Sequence, residues 1–443
     1  MGKYFGTDGF RGEVGVTLTA RHAFLIGLYL GHRHLGARVA IGKDTRLSSY
    51  TLEYALAAGL TAAGAEAHIL HVTTTPSVSF VTRSGGFDLG VMISASHNPF
   101  CDNGIKLFAA SGEKIDDALI AELEAYLDAP FDLPLATGAR VGRVVDAVAS
   151  RNRYIGYLIS LATVSYRGYR VGLDCANGAA FAIAKSVFDA LGATTYVIHN
   201  TPNGCNINEN AGSTHIEALC AHVRENGLDV GFAFDGDADR CIAVDERGRV
   251  VDGDAILYLC ARDMKRRGEL ERDTVVATVA SNMGLSRALA AEGIALQHTA
   301  VGDRFVYERM REGGYTLGGE QSGHVIFGKL ECTGDGLVTA IRMMELICGS
   351  EQPLSRLAAG YVAFPQVQRS VRVRDKAGAL GDVRVRETIQ AVEGRLEGVG
   401  RLLVRPSGTE SVIRVMAEAT CEETAARAVR DVAEKIEEGG WTV

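Results

Sequence analysis

The fold is decided by a pattern that occurs twice, as GFDLGVMISAS from Gly86 to Ser96 and as GLDVGFAFDGD from Gly227 to Asp237. Each copy reads glycine, apolar residue, aspartate, apolar residue, glycine, then three apolar residues that lead into a polar loop. A weaker third copy is GYTLGGEQSGH, from Gly314 to His324. A short apolar run bounded by glycine and polar residues predicts a buried strand followed by a loop. The sequence therefore predicts an internal repeat.

A helix end, a glycine cap and a strand also recur three times, as LTAAGAEAHILHV, FDALGATTYVIHN and ALAAEGIALQHTAV. Another strand precedes each of them: ARVAIG, YRVGLD and DTVVATV. Helices that alternate with short apolar strands are typical of α/β layers. We predict an α/β fold of three related α/β domains with mixed sheets plus a C-terminal α+β domain, around a central cleft.

The predicted boundaries divide the chain into residues 1–150, 151–252, 253–366 and 367–443. The last segment has a different rhythm, because VQRSVRVR, GRLLVRP and SVIRVMAEA alternate as strands and precede the amphipathic helix ETAARAVRDVAEKIEEG. Ligand loops in open α/β sheets lie beyond the carboxyl ends of the strands. The loops that follow the repeated strands are therefore the first places to look for chemistry.

Composition excludes several classes of protein. The net charge of −8 argues against a nucleic-acid binder that relies on a basic field. The start MGKYFGTDGF has no apolar signal-peptide core, and AFLIGLYLG is about half the length of a membrane span. Nine cysteines without a C-x-x-C pair fit reduced thiols. We expect a cytoplasmic protein with no nucleic acid and no membrane among its partners.

Three aspartates follow the second copy of the repeated strand, in the loop DGDADR. In an extended segment Asp235, Asp237 and Asp239 would share one face, and their repulsion would be unfavourable without a cation. Carboxylate oxygens suit Mg²⁺, above all where a substrate phosphate completes the site. An acidic surface turn is the alternative, but the position directly after an apolar strand favours a metal. An EF-hand fits poorly, because Arg240 stands where that loop needs glycine.

The loop SASHNP, from Ser94 to Pro99, follows the first copy in the equivalent position. Ser94 and Ser96 are candidate nucleophiles or phosphate acceptors, and an ordinary serine-rich turn is the alternative. No G-x-S-x-G elbow occurs here, which argues against an α/β-hydrolase. If the loop faces the three aspartates, a phosphorylated serine supplies a further oxygen ligand to the metal.

Two further loops carry groups that suit a sugar phosphate. GGEQSGH, from Gly318 to His324, offers a carboxylate and a hydroxyl for sugar hydroxyls and an imidazole that moves a proton. RPSGTE, from Arg405 to Glu410, is followed by Arg414 and offers two guanidinium groups, hydroxyls and backbone N–H groups to an anion. Each loop alone is also compatible with a plain turn. A nucleoside triphosphate is disfavoured, since no G-x-x-x-x-G-K-[ST] stretch occurs.

Together these loops resemble those of the α-D-phosphohexomutase superfamily. FGTDGFRG, SASHNP, DGDADR, GGEQSGH and RPSGTE occur in that family's order and spacing across the whole chain. Within the family, DNGIKLF, NINENAGSTH, SNMGL and AVGDRFV resemble the bacterial branch that acts on glucosamine phosphates. The resemblance implies an isomerase that interconverts glucosamine 6-phosphate and glucosamine 1-phosphate and feeds UDP-N-acetylglucosamine synthesis. It implies transfer through an enzyme phosphoserine and a bisphosphorylated sugar, with a sugar bisphosphate as the intermediate or the primer.

The same resemblance assigns a phosphoserine loop, a metal loop, a sugar-binding loop and a phosphate-binding loop to the four domains in order. It implies that phosphorylated Ser96 is required for activity and that Mg²⁺ is held by Ser96, Asp235, Asp237 and Asp239. The catalytic residues that it implies are Ser96, Arg11, Lys106, His324 and His97, with Arg240 in support. The substrate-binding residues that it implies are Glu320, Ser322, Arg405, Ser407, Gly408, Thr409 and Arg414.

Other functions stay open at this point. Phosphomannomutase or phosphoglucomutase activity would use the same machinery. A non-catalytic sugar-phosphate sensor is a further alternative, although a sensor has no need of the nucleophile Ser96. A Mg²⁺-dependent phosphatase is the third. The partner that we expect is a small phosphosugar, and the sequence leaves a homodimer open.

Overall fold

The computed structural model describes residues 3–6, 8–129, 133–407 and 411–442. Its residues divide between two units, the first formed by Met1–Ala280 and Ile294–Ala359 and the second by Ser281–Gly293 and Gly360–Val443. Within the described ranges, none of the helices is both long enough and apolar enough to span a membrane.

The first sheet belongs to the N-terminal part of the first unit. Its strands are β1 (Phe5–Gly6), β2 (Gly9–Glu13), β3 (Arg38–Lys43), β4 (Glu66–Val72), β5 (Leu89–Ile93), β6 (Asp102–Ala109) and β7 (Val144–Asp146). They are ordered β1-β2-β6-β5-β3-β4-β7. The helices of this part are α1 (Ala20–Arg33), α2 (Leu47–Ala62), α3 (Thr75–Gly85), α4 (Asp117–Asp128) and α5 (Val148–Leu161).

Two smaller sheets follow. The second consists of β8 (Arg170–Asp174), β9 (Thr194–Ile198), β10 (Val230–Phe234), β11 (Cys241–Asp245) and β12 (Val250–Val251), with helices α6 (Ala184–Ala190) and α7 (Glu217–Asn226). The third consists of β13 (Thr274–Thr278), β14 (Ala295–Thr299), β15 (Leu317–Gly319) and β16 (Val325–Phe327). The helices around this sheet in the sequence are α8 (Gly253–Arg267), α10 (Asp303–Gly313), α11 (Gly336–Ser350) and α12 (Leu354–Leu357). Helix α9 (Met283–Ala291) lies between β13 and β14 in the sequence but belongs to the second unit.

The predicted repeat is present in all three sheets. Each contains the same four-strand core, ordered β6-β5-β3-β4, β11-β10-β8-β9 and β16-β15-β13-β14. The repeated strand β5, β10 or β15 pairs antiparallel with the strand that follows it and parallel with an earlier one. Every residue of β5 and β10 is buried, which explains their apolar runs. The mixed α/β fold expected from the sequence is therefore confirmed.

The C-terminal strands and helices form an α+β layer in the second unit. Strands β17 (Gln366–Arg372), β18 (Gly400–Pro406) and β19 (Val412–Ala419) make an antiparallel sheet ordered β17-β19-β18. The helices are α13 (Lys376–Gly381), α14 (Val383–Leu396) and α15 (Glu422–Glu438). Helix α15 buries one apolar stripe, from Ala425 through Val429 and Val432 to Ile436, in a core shared with β19. The predicted strands and final helix are confirmed.

Candidate active site

Ser96 lies just beyond the carboxyl end of β5, with its side chain buried. Its Oγ donates a 2.5 Å hydrogen bond to Asp235 Oδ2. Its backbone N–H donates to Ser94 Oγ at 2.9 Å, and that hydroxyl donates to Asp44 Oδ2 at 2.7 Å. The φ angle of Ser96 is +51°, a left-handed conformation that costs a non-glycine residue about 1–2 kcal/mol. The structure thus brings the candidate nucleophile to the first of the three aspartates.

Asp235, Asp237 and Asp239 are buried in the loop after β10, and one carboxylate oxygen from each lies within 4.8 Å of the others. The segment is not extended, so the shared strand face does not apply: Ala238 has a φ of +56° and the chain turns there. The turn at Ala238, not a strand face, therefore brings the three carboxylates together. Burial and the charges of Asp239 and Asp237 raise the pKa of Asp235 well above its usual range.

The aspartate cluster fits a hard divalent cation. Within the described part of the chain, Asp237 Oδ1 and Asp239 Oδ1 are buried without a hydrogen-bond partner. Thr75 Oγ1 donates a 2.5 Å hydrogen bond to Asp237 Oδ2. This bond fixes the carboxylate and leaves Oδ1 for another ligand. Buried carboxylate oxygens with spare lone pairs are the donor set that Mg²⁺ prefers.

Two cations on neighbouring strands face these carboxylates. Lys106 Nζ, on β6, lies 2.8 Å from Asp237 Oδ2 and 3.3 Å from Asp239 Oδ2. It also lies 3.1 Å from Asp8 Oδ2, and Arg11 on β2 pairs with the same aspartate. Burial opposes the charge on Lys106, but Asp237 and Asp8 raise its pKa well above the ordinary value. Lys106 is therefore cationic at neutral pH and suits the stabilisation of phosphoryl charge.

Asp8, Lys114 and Asp303 extend this network and were missed by the sequence analysis. Lys114 Nζ lies 2.8 Å from Asp8 Oδ1 and 2.6 Å from Asp303 Oδ2. Asp8 and Asp303 lie inside FGTDGFRG and AVGDRFV, so an acidic residue within each family motif was the available signal. Lys114 lies in no motif, and only the tertiary structure reveals its position.

His324 is buried between two carboxylates. Its Nδ1 lies 3.6 Å from Asp239 Oδ1, and its Nε2 lies 3.6 Å from Asp303 Oδ2. Burial opposes protonation, but the two carboxylates raise the pKa of His324 to about 9. The Gly334 N–H also lies 2.9 Å from Nε2, but it donates there only when the ring is neutral, so protonation of His324 exchanges this bond for the attraction of the two carboxylates. Both ring nitrogens face protein groups, which suits an electrostatic role better than direct proton abstraction from a substrate.

His97 and Arg240 flank the serine and the aspartates. His97 Nδ1 lies 3.4 Å from Ser96 Oγ. Burial, reinforced by the charges of Arg240 and Arg11, lowers the pKa of His97 to about 4, so its ring is neutral near pH 7. The backbone N–H of Arg240 donates to Asp235 Oδ1 at 3.2 Å. Both residues therefore touch the groups that the sequence analysis expected them to support.

The sugar-loop residues Glu320 and Ser322 directly follow β15, a strand of the third sheet in the first unit. Glu320 Oε1 accepts a 3.1 Å hydrogen bond from the Gly302 N–H. Burial raises the pKa of Glu320. Ser322, in contrast, is exposed. The loop therefore presents one half-buried carboxylate and one exposed hydroxyl.

The expected phosphate-binding residues lie in the second unit. Arg405 on β18 and Arg414 on β19 are register partners across the sheet. The Ser407 N–H donates to Val412 O at 2.9 Å. Lys376 Nζ donates to Ser407 O at 2.7 Å and adds a cation that the sequence analysis missed. Two further residues expected here lie outside the described part of the chain: Gly408 and Thr409.

Models of one protein family match four successive parts of the chain. They are described as phosphoglucomutase/phosphomannomutase α/β/α domains I, II and III, over residues 2–131, 152–248 and 252–364. The model for the C-terminal domain of the same family matches residues 370–435.

Curated relatives cover almost the whole chain. A phosphoglucosamine mutase of Lachnospira eligens is 56% identical over 100% of both chains. A phosphoglucosamine mutase of Geobacillus thermodenitrificans is 48% identical over 98% of both.

Solved structures share the architecture. A phosphoglucomutase/phosphomannomutase family protein from Burkholderia thailandensis aligns with a TM-score of 0.82 at 26% identity, covering 99% of this chain and 98% of the other. An Aspergillus fumigatus N-acetylphosphoglucosamine mutase, solved with GlcNAc-6P and magnesium, aligns with a TM-score of 0.70 at 18% identity over 99% and 96%. At that identity the second likeness shows the fold alone.

Proposed function

The chain belongs to the phosphoglucomutase/phosphomannomutase family of the α-D-phosphohexomutase superfamily, and on that premise we propose that it interconverts glucosamine 6-phosphate and glucosamine 1-phosphate. The observation that carries the proposal is the buried Ser96 hydroxyl, which lies 2.5 Å from the first carboxylate of a three-aspartate cluster. The full-length likeness to phosphoglucosamine mutases supports the amino sugar as substrate. The boundaries at residues 150, 252 and 366 and a homodimer stay predictions.

In the proposed cycle, Ser96 carries a phosphoryl group and passes it to the C1 hydroxyl of glucosamine 6-phosphate. The bond from Oγ to phosphorus breaks as the sugar oxygen bonds to phosphorus, and Ser96 regains the proton that the sugar hydroxyl loses. The bisphosphate turns over, and the bond from the C6 oxygen to phosphorus breaks as Ser96 Oγ bonds to phosphorus. The C6 oxygen takes the proton that Oγ loses, and glucosamine 1-phosphate leaves. Arg11 and Lys106 supply positive charge beside the transferred group. Burial of Ser96 keeps water from hydrolysing the phosphoserine.

The remaining candidates hold the metal and the substrate in this proposal. Asp235, Asp237 and Asp239, with an oxygen of phosphorylated Ser96, would hold Mg²⁺, which neutralises phosphoryl charge when bound. Neutral His97 and the Arg240 backbone would keep the serine and the first aspartate in place. Glu320 and Ser322 would bind the sugar hydroxyls. The non-reacting phosphate would be bound by Arg405, Ser407, Gly408, Thr409 and Arg414.

The substrate is tested by measuring kcat/KM for the phosphates of glucosamine, glucose and mannose on one enzyme preparation. We expect at least about a tenfold preference for glucosamine phosphates, since a group that reads a polar substituent gains about 1–3 kcal/mol. A clear preference for glucose or mannose phosphates would instead assign phosphoglucomutase or phosphomannomutase activity. Release of inorganic phosphate without interconversion would identify a phosphatase, and binding without turnover a sensor.

Gly334 gives a test of the His324 orientation. A Cβ at this position would lie 2.5 Å from the His324 ring, so Gly334→Ala must displace the imidazole. We expect kcat to fall about 100-fold, as a displacement near 1 Å does in other sites. The matched control is Gly349→Ala in α11, where a Cβ meets nothing within 4 Å. Equal kcat values for the two variants in the same coupled assay would contradict the role given to His324.

A further inference from the structure

The motif NINENAGSTH has no part in the chemistry proposed above, yet one of its residues touches the nucleophile loop. Asn208 is buried, and its Nδ2 donates a 2.8 Å hydrogen bond to Ser96 O and a 3.1 Å bond to Asn98 O. Because both neighbours are carbonyl oxygens, the amide must present its NH₂ end to them. Asn208 therefore grips the backbone on either side of His97.

Arg46 binds the same two carbonyls from another part of the fold. Its Nη2 donates to Ser96 O and to Asn98 O, at 2.9 Å in each case. The Arg46 side chain is fully buried and is held by Asp44 Oδ2 at 2.8 Å. Each carbonyl thus receives two donors, which matches its two lone pairs. Asn208 and Arg46 form a double clamp on the nucleophile loop.

The clamp acts where the backbone is strained. Ser96 has a φ of +51°, and such a conformation in a non-glycine residue persists only where its surroundings impose it. Rotation of the peptide that carries Ser96 O would break both clamp bonds and change the direction of Oγ. The same carbonyl also packs against the metal loop, since a Cβ on Gly236 would lie 2.5 Å from it. The segments that contain Asn208, Arg46 and Gly236 therefore all lie against Ser96 O.

The chemistry of Asn208 indicates that its donors are what the position requires. Within the described residues, the Oδ1 of Asn208 is buried without a hydrogen-bond partner. An unpaired buried acceptor is unfavourable, and an apolar side chain would avoid it. The two donated bonds are the compensating interactions that the structure shows.

We propose that Asn208 is a positioning residue that holds Ser96 in its left-handed conformation, so that Oγ points at the aspartate cluster and the sugar. This inference rests on the proposed function and adds to it a residue from the 206–215 motif. It assigns that motif the task of supporting the nucleophile from outside the nucleophile's own sheet.

The test compares Asn208→Asp with Asn206→Asp in the full chain. The first change keeps the shape of the side chain but puts an oxygen against two carbonyls. The second lies in the same motif, where the Asn206 amide donates to Thr201 O and, among the described residues, makes no hydrogen bond to the nucleophile loop. We expect kcat of Asn208→Asp to fall about 30- to 100-fold with KM changed less than about threefold, and both constants of Asn206→Asp to stay within about twofold.

Two further measurements keep the outcomes distinct. Phosphorylation of Ser96 by sugar bisphosphate, followed by intact mass, should slow in Asn208→Asp in step with kcat, at a temperature where circular dichroism shows that both variants are folded. If Asn208→Asp does not fold, Asn208→Ala removes the donors without adding charge and should show the same loss of kcat. Wild-type kcat in a folded Asn208 variant would overturn the positioning role. A wild-type enzyme that neither interconverts sugar phosphates nor accepts phosphate on Ser96 would overturn the proposed function instead.

Discussion

Ser96→Ala should lower kcat/KM for glucosamine phosphate interconversion by more than about 1,000-fold, the scale on which removal of a nucleophile acts. The reason is that the variant has no oxygen to carry the phosphoryl group, while the aspartates and cations around it stay in place. Intact mass of the wild type after incubation with sugar bisphosphate should show one added phosphoryl group, and the variant should show none.

The control for this change is Ser111→Ala, because Ser111 is exposed and its hydroxyl bonds only to neighbouring Glu113 among the described residues. It should keep wild-type turnover and wild-type phosphorylation. Interconversion by Ser96→Ala within tenfold of the wild type, or a phosphoryl group that persists on the variant, would falsify the role of Ser96.

Asp235→Asn should lower activity without lowering the melting temperature of the metal-free protein. The pKa of Asp235 is raised in the folded protein, so the folded state holds that proton more tightly than the unfolded state does. Without metal, the stability of the wild type therefore falls as pH rises above the ordinary carboxyl value of 3.8 and through the raised pKa. The neutral amide removes this loss, so the variant in chelator at pH 8 should melt at or above the wild type.

Addition of Mg²⁺ should reverse that order. A ligand present at 100 times its Kd stabilises the folded state by about 2.7 kcal/mol, which should raise the melting temperature of the wild type but not that of Asp235→Asn. We expect kcat/KM of the variant to fall at least about 100-fold. Asp189→Asn, a surface change at the Lys185 ion pair, is the control and should keep both responses. A Mg²⁺-induced shift of equal size in Asp235→Asn would remove this aspartate from the metal site.

The sequence predicted strands better than it predicted contacts. The runs LGVMI and VGFAF are apolar because both faces of β5 and β10 are buried, so local pattern and tertiary environment agree there. The sequence placed the three aspartates in a loop after β10, but it did not predict the left-handed Ala238 that turns this loop, and no residue type in DGDADR signals that conformation. Lys114 and Asn208 escaped detection as site residues because their partners lie in distant segments. The sequence predicted the chemistry of side chains within the catalytic motifs. It did not predict which residues of other segments contact those motifs.

The long sequence separations within the site have a consequence for folding. Ser96 and Asp235 are 139 positions apart, Lys106 and Asp237 are 131 apart, and Lys114 and Asp303 are 189 apart. Closure of loops this long is entropically costly and comes after local structure has formed. We therefore expect the catalytic residues to be among the last parts of the first unit to assemble, and recovery of turnover during refolding should lag behind recovery of the helical circular-dichroism signal. A folding intermediate that lacks these long-range contacts would have its secondary structure, but Ser96 would not yet lie beside the aspartates.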